Sequence, residues 1–184
     1  MHWNIPNILS MLRIVAIPLV VAVYMLDIRN AGPIAAVIFG AACITDWFDG
    51  YLARKLNQTS RFGAFIDPVA DKLIVAVSLV LLVHIFENYW LTISAIIIIS
   101  REITISALRE WMAEVGQRSN VAVSYVGKVK TTFQMFAIFF LLWRDTLFGF
   151  EVVTLGLVLL VIAAALTLYS MIIYLRAAFA SDAA

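Results

Sequence analysis

Two short runs, Asp46-Trp47-Phe48-Asp49-Gly50-Tyr51-Leu52-Ala53-Arg54 and Gly63-Ala64-Phe65-Ile66-Asp67-Pro68-Val69-Ala70-Asp71, with eight residues between them, decide how the rest of this chain is read. Their four carboxylates flank a polar interruption between two strongly apolar stretches. Each residue of a helix turns by about 100°, so Asp46, Asp49, Gly50 and Ala53 share one face. Asp67 and Asp71 lie one turn apart on a second face, with Gly63 one turn earlier. Acids converging where two helices meet repel each other strongly unless a cation lies among them. Hard oxygen donors of this kind suit Mg²⁺ or Mn²⁺. Gly50, Ala53 and Gly63 are small and leave room for something bulky beside the cation.

The surroundings are apolar. The chain has 184 residues, of which 64% are hydrophobic and only 14% charged, and its mean hydropathy is +0.98, far above an ordinary soluble domain. With 4 Pro and 8 Gly in all, long helices are the expected elements. Apolar spans cover residues 5–26, 32–53, 64–86, 89–111, 125–143 and 152–175. The second is about 33 Å long at the helical rise, enough to cross a bilayer. No repeat or low-complexity segment divides the chain. The expectation is an all-α integral membrane protein with six transmembrane helices and a single domain, 1–184. The first span lacks a small-residue cleavage site after it and reads as retained. Net charge +1 with no basic tract gives no sign of a nucleic-acid partner, and the single Cys43 supports no disulfide framework.

Lysine and arginine set the orientation. Arg54, Lys55 and Arg61 connect spans two and three, and Arg109, Arg118, Lys128 and Lys130 connect four and five. The opposite connections hold only Arg29 and Arg144. The acidic end, with both termini, is therefore expected on the cytoplasmic side. Asn4-Ile5-Pro6-Asn7 reads as a helix entry. Pro68 leaves two possibilities, a third helix that starts there with Asp67 as its cap, or one begun near Ser60 that contains it. Arg13 interrupts the first span. Arg101 and Glu102 sit deep in the fourth, where ionisable groups face a cavity or each other; a structural pair and a substrate contact are both open. Trp3, Trp90, Trp111 and Trp143 read as interfacial anchors, and His84 as an interface residue. Membrane carboxylates also build cation transporters, but usually near the midplane. Here they cluster at the end of one span and the start of the next, which favours chemistry on a lipid headgroup.

The pattern Asp46-x-x-Asp49-Gly50-x-x-Ala53-Arg54, eight residues, Gly63-x-x-x-Asp67-x-x-x-Asp71 resembles the signature of the CDP-alcohol phosphatidyltransferases, with every fixed position filled. Residues 4–10, 100–110 and 127–134 are similar to segments of the bacterial phosphatidylglycerophosphate synthases. With the six spans, the likeness covers essentially the whole chain. It implies CDP-diacylglycerol and sn-glycerol 3-phosphate as substrates, phosphatidylglycerophosphate and CMP as products, a homodimer, and a place in the bacterial inner (cytoplasmic) membrane. It also implies two ions, Mg²⁺ or Mn²⁺, held by Asp46, Asp49, Asp67 and Asp71, with Asp71 as proton acceptor. Asn7, Gly50, Ala53, Arg54, Ser60 and Gly63 would meet CDP-diacylglycerol. The acceptor brings its own phosphate, so cations facing the acids should hold it, and Arg109, Arg118 and Lys128 are the candidates. Lys128 and Lys130 are two apart and cannot point the same way on a helix. The signature does not separate glycerol phosphate from serine, inositol phosphate or phosphatidylglycerol as acceptor.

Overall fold

A computed structural model describes the backbone of residues 5–26, 29–56, 61–114, 125–147 and 149–180, and side chains over residues 7–26, 29–46, 63, 65–114, 127, 129–147 and 149–176. The described residues form six helices: α1 (Ile5–Met25), α2 (Ala31–Leu56), α3 (Arg61–Phe86), α4 (Tyr89–Glu114), α5 (Tyr125–Trp143) and α6 (Val152–Ala180). Each predicted apolar span coincides with one of these helices, with starts off by at most a turn and the first span running one residue past α1. α3 begins at Arg61 and runs straight through Pro68, so the second of the two possibilities for that proline holds. Pro68 still lacks the N–H that would bond the carbonyl one turn earlier, a gap tolerated in apolar helices when neighbours compensate.

Local chemistry explains the breaks. Asn30, Glu87 and Arg144 have positive φ of 63°, 45° and 64°, each just outside a helix end. Asn88 caps α4, its Oδ1 accepting from the Trp90 and Leu91 amides at 2.9 and 3.2 Å. Between α5 and α6 lies a feature the sequence reading did not contain: β1 (Thr146–Leu147) pairs antiparallel with β2 (Phe150–Glu151). Gly149, at φ 84°, supplies the left-handed residue such a tight turn needs.

Packing follows the small residues. α5 and α6 form the closest pair; α1 lies against α2 and α3, α4 against α6, and α2 against α5. A Cβ added to Gly156 would stand 2.9 Å from the Leu141 side chain and 3.2 Å from the Ala137 carbonyl oxygen, so α6 approaches α5 at backbone distance. The core runs through Val20, Phe39, Leu79, Leu82, Ile98, Ile138 and Leu160, and a smaller cluster of Ile105, Met112 and Tyr174 joins α4 to α6.

Four helices carry stretches long and apolar enough to cross a membrane: Asn7–Met25, Phe65–Phe86, Tyr89–Glu114 and Val152–Arg176. Only 28 to 39% of each is buried within the molecule, so most of their apolar surface faces outward, as lipid contact requires. Leu12, Val80, Ile96 and Ile172 belong to that outer face. In α2 and α5 the described side chains include the apolar stretches Ala31–Asp46 and Val129–Trp143. The fold is thus that of an all-helical membrane protein, with four candidate spans among the described residues.

Candidate active site

α1 presents Asn7, Ser10 and Arg13 at a spacing of three, which places them on one face. All three are buried, Arg13 at 1% exposure. An arginine in that setting needs carboxylate partners, and they come from two other helices. Arg13 Nη1 donates to Asp46 Oδ1 of α2 at 2.9 Å and also to Asp71 Oδ1 of α3. The Ser10 hydroxyl donates to Asp67 Oδ1. One helix face therefore ties together three of the four signature acids. Asp46 and Asp71 keep 45% and 38% of their side chains exposed, so each is held from behind and open in front.

What they open onto is a cavity of about 340 Å³. Asp46, Asp67, Pro68, Asp71 and Lys72 form its acidic side, and Glu102, Arg109, Thr131, Gln134 and Met135 its other side. The continuity of α3 through Pro68 matters here. It keeps Asp67 and Asp71 one turn apart on one face, where a helix starting at Pro68 would have freed Asp67 to swing as a cap.

A second, smaller cavity of about 160 Å³ adjoins the first and shares Glu102, Arg109 and Thr131 with it. Arg101, Gly127, Lys130 and Tyr174 complete it. Glu102 Oε1 accepts from Lys130 Nζ at 2.7 Å and from Arg101 Nη1 at 3.0 Å, and Arg101 Nη2 donates to Ser170 Oγ at 3.2 Å. The Arg101–Glu102 neighbours are thus a structural pair with Lys130 as third member. The guanidinium groups of Arg101 and Arg109 each stand 5.6 Å from the Tyr174 ring centroid, within cation–π range. Three cations and one carboxylate leave this pocket net positive, and Arg109 is exposed with no carboxylate partner among the described residues. Acid and base chambers stand side by side.

Asp46, Asp67, Asp71 and Arg109 thus meet at one cavity, and Asn7 and Gly63 are buried on α1 and near the start of α3. The side chains of Asp49, Gly50, Ala53, Arg54 and Lys128, and the whole of Ser60 and Arg118, lie outside the described residues. Among the described residues no three acids, histidines or cysteines already stand in metal-holding geometry; Arg13 occupies the space between Asp46 and Asp71. Sequence reasoning did not name Arg13, Ser10 or the buried Lys130 as site residues. The signal for Arg13 was present, since a lone arginine in an apolar span implies a buried acidic partner.

The chain belongs to the CDP-alcohol phosphatidyltransferase family, whose pattern it matches over residues 3–177. It is 53% identical over 178 residues to the CDP-diacylglycerol–glycerol-3-phosphate 3-phosphatidyltransferase of Salmonella choleraesuis (strain SC-B67), covering 97% of this chain and 96% of that one. Proteins of the same name from Shigella flexneri and Escherichia coli (strain K12) are each 52% identical over the same shares.

Proposed function

We propose that this protein transfers the phosphatidyl group of CDP-diacylglycerol to sn-glycerol 3-phosphate, giving phosphatidylglycerophosphate and CMP. The observation that carries the reading is the joined pair of cavities, acidic and basic, in a chain that matches transferases of that name along nearly its whole length. A pyrophosphate donor and a phosphorylated acceptor are both anionic. A site for the pair needs a cation-loaded acidic chamber for one and a basic chamber for the other.

The donor set fits Mg²⁺ or Mn²⁺. Asp67 and Asp71 on α3 and Asp46 on α2 offer hard oxygens to one cavity, and the buried Arg13 guanidinium between Asp46 and Asp71 reveals how strongly they recruit positive charge. Asp46, Asp49, Asp67 and Asp71 would hold two ions, whose positive charge would offset the negative charge of the pyrophosphate and the departing CMP. The chain's own residues do the rest. Ser10 and Arg13 fix the rotamers of Asp67, Asp46 and Asp71 from behind. Asp71 accepts the proton of the attacking glycerol hydroxyl. Arg109, facing both cavities, holds the acceptor phosphate, and Arg118 and Lys128 are further candidates from the following connection. Asn7, Gly50, Ala53, Arg54, Ser60 and Gly63 would form the nucleotide and headgroup contacts. The supporting resemblance also implies a homodimer in the bacterial inner membrane, six crossings, and a cytoplasmic site.

The test is release of CMP by purified protein given CDP-diacylglycerol with glycerol 3-phosphate, serine, inositol phosphate or phosphatidylglycerol in turn. Turnover with glycerol 3-phosphate well above the others is expected. Preference for any other alcohol would overturn the acceptor assignment and leave the family standing.

A further inference from the structure

At the end of the molecule remote from the signature acids lies a cavity of about 710 Å³, which the proposed reaction does not use. The ends of α1 and α3, the start of α2 and the residues after α5 meet there. Its polar lining includes Asn30, His84, Arg144 and Asp145. The Tyr24 hydroxyl is committed to the Leu142 carbonyl. Arg144 and Asp145 are exposed, adjacent and oppositely charged, and neither has an ion-pair partner among the described residues.

A second, apolar groove of about 520 Å³ runs from this cavity along α1 and α3. It shares Met25, Leu81 and His84 with the polar cavity, and Val21, Val77 and Val80 continue it toward the middle of the spans. Val80 is 62% exposed, so the groove opens sideways to where lipid lies. A polar chamber joined lengthwise to an apolar furrow has the form of an amphiphile.

The geometry points to a phospholipid site at this end, with a zwitterionic headgroup in the polar cavity and an acyl chain in the groove. Arg144 meets the phosphate through charge-assisted hydrogen bonds, and the first turn of α2 beside it favours the same charge. Asp145 meets the ammonium. One cation and one anion match a net-neutral headgroup, whereas an anionic lipid would set its charge against Asp145. No aromatic cage surrounds Asp145 among the lining residues, so a primary ammonium that donates hydrogen bonds fits better than a quaternary one. The occupant is a phosphatidylethanolamine.

The experiment is native mass spectrometry of purified protein after exchange into micelles containing phosphatidylethanolamine, phosphatidylcholine and phosphatidylglycerol of one acyl composition in equal amounts. One tightly retained phosphatidylethanolamine is expected on the wild type. Arg144→Gln and Asp145→Asn should each lower that retention roughly tenfold, the loss of one charge-assisted contact. Val80→Trp should do the same by filling the groove and leaving the headgroup residues intact. CMP release by each variant reports that it is folded. Equal retention of the three lipids by the wild type, or retention unchanged in all three active variants, would overturn the site.

Discussion

Arg13 is the residue on which the acidic cluster leans. Its single guanidinium serves Asp46 and Asp71 from two helices, and it stands where the proposed divalent ion would bind. The two cations would then compete for the same oxygens. Arg13→Met should lower the melting temperature in EDTA, by about 1–3 kcal/mol of stability, below the fully buried limit because both carboxylates are part-exposed. Mg²⁺ should restore more of the loss than it adds to the wild type. The readout is the melting shift between EDTA and Mg²⁺, and equal shifts in both proteins would sink the competition. The acids themselves make a simpler prediction. Asp46→Asn, Asp67→Asn and Asp71→Asn should each abolish CMP release, and EDTA should stop the wild type until Mg²⁺ or Mn²⁺ is returned. Full activity in EDTA contradicts the assignment. The acids were legible because their spacing is local: three or four residues apart means one helix face. Arg13 was legible only in part: a lone arginine in an apolar span implies an acidic partner, but its partners stand 33 and 58 positions away and nothing local says which acids they are. For Lys128 and Lys130 the helical rotation said that only one could point inward, and gave no means of choosing.

At the scale of elements, the site depends on helices holding their distance. α5 carries Lys130, Thr131 and Gln134 at the cavities, and its partner α6 carries Tyr174. Gly156 lets the two touch. Gly156→Leu has no room against Leu141 and the Ala137 carbonyl, and such overpacking typically costs about 1–3 kcal/mol. Thermal unfolding in detergent should show a lower melting temperature, whereas Gly149→Ala in the exposed turn should act only through its positive φ and lower it less. A Gly156→Leu protein as stable as wild type would mean that the helices are free to part. Helix existence was written in apolar runs of about 20 residues. The β1–β2 pair was not, because two-residue strands carry no periodicity for a pattern to reveal. Pro68 stayed ambiguous because proline serves equally as a first-turn residue and as a tolerated guest, and only packing against α1 and α5 decides between them.

The whole molecule is polarised from end to end. Trp90 and Trp111 are both exposed near opposite ends of α4, as aromatic anchors at two interfaces should be. The basic residues gather with the acids at one of these ends. A cysteine replacing Lys55 should react with membrane-impermeant thiol reagents only from the cytoplasmic side, and one replacing Asn88 only from outside, with Cys43 changed to Ser in both. Labelling of Asn88→Cys from the cytoplasm would invert the molecule.

The charges carried within α2 and α5 have a consequence for the bilayer itself. In α2 the 15 helical residues 31–45 precede the first charge, Asp46, and in α5 the 13 residues 131–143 follow the last, Lys130. These uncharged lengths come to about 22 and 20 Å, short of the roughly 30 Å hydrocarbon layer. Asp46 and Lys130 both lie at the joined cavities, so the shortfall is one-sided. Lipid beside α2 and α5 is expected to sink toward the carboxylates, bringing headgroups and water down to a site that a rigid slab would leave dry. The membrane would then be dented where its own precursor must arrive, and turnover in nanodiscs should fall as the host acyl chains lengthen.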